Sequence, residues 1–89
     1  MKKLNKFSVH GTAVGESTEI RLDEISILAD SETIKSIGVF LIKAACEMEV
    51  NGLEHMHLQD FFKDFTSEDH VDFVAINSEM IHMLSDKKK

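Results

Sequence analysis

His55 and His57 flank a single methionine in the run EHMHLQD, with Glu54 and Asp60 close by. In an extended chain, residues two apart point to the same side. Both imidazoles would then project from one face, and a carboxylate from Glu54 or Asp60 could complete a metal-ligand set. The same residue types also arise on ordinary surface strands, and a catalytic centre needs a concave pocket and outer hydrogen bonds that hold its ligands. The favoured reading is a structural strand with solvated or hydrogen-bonded histidines. A small metal- or ligand-binding protein using the His55, His57 and Asp60 face is the alternative. Cys46 is the only cysteine, so an intrachain disulfide is excluded and a reducing compartment fits best. It falls in the middle of a helical pattern, where no helix N-terminus lowers a thiol pKa, so a nucleophilic role is disfavoured. The sequence has no phosphate-binding loop and no cofactor motif, and neither a catalytic residue nor a cofactor is expected.

Charge offers a second kind of chemistry. There are 16 acidic and 10 basic residues, for a net charge of -6. Six of the lysines, Lys2, Lys3, Lys6, Lys87, Lys88 and Lys89, lie at the two ends. Between Phe7 and Asp86 only Arg21, Lys35, Lys43 and Lys63 face all 16 acids, so the body carries about -12. Such a body repels phosphate backbones, which excludes nucleic acid as a partner. The densest acidic stretch contains Asp60, Asp64, Glu68, Asp69 and Asp72. Its spacing lacks the DxDxDG loop of calcium sites. That leaves a solvated surface or the recognition of a basic partner, because clustered charge steers association and selects the opposite sign.

Elements must position these groups. With 89 residues the chain is a single domain, its structured core running from about 6 to 84 ahead of a lysine tail at 87–89. No apolar run approaches the ~18 residues of a membrane span, and the basic N-terminus is not followed by a leader-like apolar segment. A soluble cytoplasmic protein is expected. Phe7, Val9, Gly11 and Ala13 alternate with polar residues over Lys6 to Val14, which predicts a strand. Gly15-Glu16-Ser17 signals a turn. Thr18 to Ala29 reads as a second strand whose phase slips near Asp23-Glu24, as a bulge or a break into two strands would allow. A long helix follows, with Asp30 or Ser31 as N-cap, an apolar stripe through Ile34, Ile37, Phe40, Leu41, Ala44, Ala45 and Met48, and a stop at Asn51-Gly52. Glu54 to Phe62 reads as a third strand. Lys63 to His70 reads as a loop. Val71 to Asn77 reads as a fourth strand, apolar on both faces and so well covered, and Ser78 to Leu84 as a short last helix.

The order β-β-α-β-β predicts an α+β fold of two layers: a mostly antiparallel sheet with one long helix on one face. On the helix, Val39, Ile42, Cys46 and Val50 form a second apolar strip roughly opposite the core stripe, bordered by Lys35, Lys43 and Glu49. This strip is expected to bury against another chain, either a second copy or a different partner. A plain homodimeric module is a further alternative on this ground.

The helix end CEMEVNG, the following EHMHLQD and the closing VDFVAIN together resemble the short immunity proteins of bacterial polymorphic toxin systems, in particular the group numbered thirty-two. The likeness runs from about Glu24 to Asn77, and its best-matching positions are Glu49, Gly52, His55, His57, Asp60, Asp72 and Asn77. Relatives often carry an aromatic residue, commonly Trp, in the loop after the HxHxxD stretch. This chain has no Trp and offers Phe65 there. The resemblance implies a small cytoplasmic α+β protein without enzymatic activity that binds and neutralises a cognate toxin. An acidic inhibitor suits a target with a basic active site. On charge density, Asp60, Asp64, Glu68, Asp69 and Asp72 are then the first candidates for toxin contact, with His55 and His57 beside them or holding the strand.

Overall fold

The computed structural model of the chain describes residues 3–80. Among them the order is β1 (Val9–Gly11), β2 (Ile20–Leu22), α1 (Ser31–Asn51), β3 (His55–His57), α2 (Leu58–Phe61) and β4 (Val74–Ile76). The expected α+β class and order are present, with a one-turn helix inserted between the third and fourth strands.

The sheet departs from expectation. Instead of one sheet there are two separate antiparallel pairs, β1 with β2 and β3 with β4. In the first pair, Val9 faces Leu22 and Gly11 faces Ile20, around a turn in which Glu16 N–H donates to Ala13 O at 2.9 Å. Gly15 adopts φ 82°, as the third residue of a type II turn requires. A Cβ on Gly11 would stand 3.3 Å from the Leu22 side chain, so glycine gives that leucine its seat. The second strand ends at Leu22, where the apolar phase slips, and residues 24–30 continue without ladder bonds.

Local chemistry sets both ends of α1. Asp30 Oδ1 accepts from Thr33 N–H at 2.8 Å, and hydrogen bonds from Thr33, side chain first and backbone second, hold the Asp30 carboxyl below its usual range. At the other end Gly52, with φ 64°, donates to Met48 O, the bond of a left-handed helix cap, and Leu53 N–H donates to Glu47 O one residue further back. The Glu47 carboxyl is lowered by hydrogen bonds from Asn51 and then Lys43, together with the Lys43 charge.

The core is narrow. Ile37, Phe40, Ala44 and Leu58 are the buried apolar residues among those described, and Phe40 is fully enclosed. From the expected stripe, Met48 is half-buried, but Ile34, Leu41 and Ala45 stay exposed, because α1 packs on β3 and α2 and no wide sheet reaches its flank.

The run EHMHLQDFF is not one strand. Leu58 N–H donates to Phe73 O at 2.8 Å, the Asp72 carboxylate takes the Gln59 amide at 3.0 Å, and the chain coils into α2. This coil brings both Leu58 and Phe61 onto α1, with the Phe61 ring 5.8 Å from that of Phe40. A continuing strand would alternate its side chains between faces and send the following residues away from α1.

In the second pair, Met56 stands opposite Ala75 on the half-buried side, whereas His55 faces Ile76 and His57 faces Val74 on the outer side. The fourth strand is therefore not well covered: Val71, Val74 and Ile76 are exposed, because β4 has β3 as its only strand neighbour in the described structure. Residues 78–80 begin a helical turn, and the remainder of the expected last helix, with the lysine tail, lies outside the described residues. Among the described residues no helix is long and apolar enough to cross a membrane.

Candidate partner-binding groove

The loop from Phe62 to His70 is built rather than slack. Phe65 N–H donates to Phe62 O, His70 N–H donates to Thr66 O at 2.9 Å, and Asp69 N–H donates to the Thr66 hydroxyl. Thr66 N–H donates to His70 Nδ1 at 2.9 Å, so that nitrogen is the acceptor and the imidazole proton sits on Nε2. The Phe65 and His70 rings lie 5.4 Å apart.

This closed loop forms one wall of a groove of about 360 Å³. Ile37 of α1 and Leu58 of α2 contribute to its floor, together with Phe73; residues 26–29 form the opposite wall. Leu28 and Val71 stand almost fully exposed at the groove, and Phe62 and Phe65 are half-buried along it. Asp64 and Asp69 are among the lining residues, and none of the lining residues is lysine or arginine. The groove thus combines buried or half-buried apolar residues with acidic ones.

The five acids of the dense stretch therefore do not form one patch. Asp64 and Asp69 line the groove. Asp60 lies instead in a second cleft of about 260 Å³ with His55, His57, Lys43 and Glu47. Glu68 lies exposed in the loop between them in sequence, outside both linings. Asp72 is occupied internally: one oxygen lies 2.6 Å from His57 Nδ1, and the other accepts the Gln59 amide. As a carboxylate it has no proton to give, so His57 Nδ1 donates.

His55 and His57 do project from the same face, their rings 5.3 Å apart. His55 Nδ1 stands 3.9 Å from Glu54 Oε1, beyond hydrogen-bond reach. Among the described residues no three of His, Cys, Asp and Glu converge as a metal site would require. The role visible for His57 is to tie β3 to the strand that returns to it.

Asn77 completes that tie. Its backbone N–H donates to Glu54 O at 2.8 Å, its side-chain amide donates to Leu53 O at 3.1 Å, and its side-chain oxygen accepts from Glu79 N–H. The positions Gly52, His57, Asp72 and Asn77 thus stop the helix and pin the two strands that follow. Cys46 is exposed, as are Val39, Ile42 and Val50. The apolar wall at Ile27 and Leu28 was not recognised from sequence as part of a site; its signal was an apolar segment continuing past a broken strand phase.

The family model of Immunity protein 32 matches residues 24–79, which include α1, both strands of the second sheet and both walls of the groove. The chain belongs to the Immunity protein 32 family. No curated protein and no solved structure matches it.

Proposed function

We propose that this chain is a cytoplasmic immunity protein without catalytic activity of its own, which neutralises a cognate bacterial toxin by binding a basic surface of it at the groove. The observation that carries this reading is the groove itself: an apolar floor between residues 26–29 and the 62–70 loop, edged by Asp64 and Asp69 and free of lining cations, in a protein whose body is strongly acidic. Exposed Leu28 and Val71 supply apolar contact area, and the two aspartates select Lys or Arg on the partner. Family membership supports a toxin as that partner.

The test is binding to the toxin encoded beside this gene, with wild type and an Asp64→Asn/Asp69→Asn variant compared across a salt series. The variant is expected to associate more slowly and with a shallower salt dependence, since exposed charges act over about 8–10 Å at moderate ionic strength. Identical rates and salt slopes for the two proteins would reject the groove as the contact.

A further inference from the structure

The outward face of α1 has no use in the reading above. Val39, Ile42 and Val50 are 55%, 67% and 79% exposed, and Cys46 lies open beside them. At ~100° per residue, Lys35, Val39, Ile42, Cys46 and Glu49 form one seam with the alternating four-three spacing of a helix–helix contact. The seam is charged at its ends only, positive at Lys35 and negative at Glu49, and the two are equidistant from Ile42. Lys35 makes only a loose 3.9 Å contact with Glu32, and Glu49 has no ion pair among the described residues. Within the helix, Gly38 has open space where a Cβ would stand, although glycine there costs about 1 kcal/mol of helix stability relative to alanine.

We propose that this seam is a self-complementary interface on which a second copy of the chain docks with its α1 antiparallel. A two-fold axis beside Ile42 sets that residue against its own copy and sets Val39 against the partner's Cys46. At both ends of the seam Lys35 meets the partner's Glu49. At ~100° per residue these two charges lie roughly 20° to either side of Ile42, a difference that long Lys and Glu side chains span, so both pairs form together. A parallel pair would oppose Lys35 with Lys35 and Glu49 with Glu49, which charge repulsion disfavours. Gly38 lies on the flank of the seam and adds no side chain there. The interface is on the other side of α1 from the buried core residues and does not depend on toxin binding.

Sedimentation velocity on the full chain over a concentration series tests the arrangement. Wild type is expected to dimerise. Lys35→Glu and Glu49→Lys are each expected to weaken the dimer on the order of tenfold through two like-charge contacts, and the double variant to restore it. All four positions in the design are exposed, and helical circular dichroism identifies any variant that fails to fold. A Val39→Cys variant is expected to give an interchain disulfide with Cys46 on mild oxidation. Wild type is not, because antiparallel Cys46 residues are displaced by roughly 10–12 Å along the axis, beyond disulfide reach. A monomeric wild type, a double variant no stronger than the singles, or dimer crosslinking through Cys46 alone would each overturn the proposal.

Discussion

The segment from Ser31 to Ile76 and the hairpin before it are held by different forces. In the segment, Ile37, Phe40, Ala44 and Leu58 are buried together, and the chain crossings are fixed by bonds from Asp72 and Asn77. In the hairpin, Val9, Gly11 and Leu22 are only half-buried, and β1 and β2 pack chiefly on each other. The difference shows where stability resides: a three-residue ladder supplies geometry, whereas burial of apolar surface supplies the driving force. The family match beginning at residue 24 leaves β1 and β2 outside it.

The contrast is tested most strongly at Phe40, the fully buried side chain. Phe40→Ala should destabilise the protein by about 3–5 kcal/mol, through lost burial and the cavity beside Phe61, read as a lower midpoint in urea unfolding. A loss below about 1 kcal/mol would mean that the core is elsewhere. Asp72→Ala should cost less, about 1–2 kcal/mol, because half-buried His57 loses its acceptor and the exposed Gln59 amide must turn to water. Its amide crosspeaks should shift at residues 57–59 more than in α1, and a change spread evenly over the molecule would contradict a local tie. The smallest effect is expected in the hairpin, where Leu22→Ala should lower stability by less than about 1 kcal/mol. An effect of that substitution equal to Phe40→Ala would erase the distinction between the two regions.

What could be read in the sequence follows from how local each signal is. The helix was legible because Asp30 and Gly52 act on backbone groups within a few residues of themselves. The shared face of His55 and His57 was legible because it follows from strand alternation alone. The one-turn helix after His57 was not, since it is closed by Phe73 O and the Asp72 carboxylate, which arrive from the far side of a loop. Division of the sheet was hidden for a related reason: alternation marks a strand but does not name its neighbour. At the candidate site, charge density found the loop. It did not separate Asp64 and Asp69, which line the groove, from Asp72, which is bonded inward.

The Asp72 tie sits at the neck of that loop, where the chain entering α2 and the chain entering β4 come together. The neck is fastened by groups outside the 63–70 stretch, which adds bonds of its own at Phe65, Thr66, Asp69 and His70, so its remaining positions can change without losing a bond that sets β3 on β4. With the proposed partner contact lying along this loop, the arrangement separates changes of contact surface from folding. Replacements within the loop can redraw one wall of the groove while Phe40 and Asn77 continue to hold the fold.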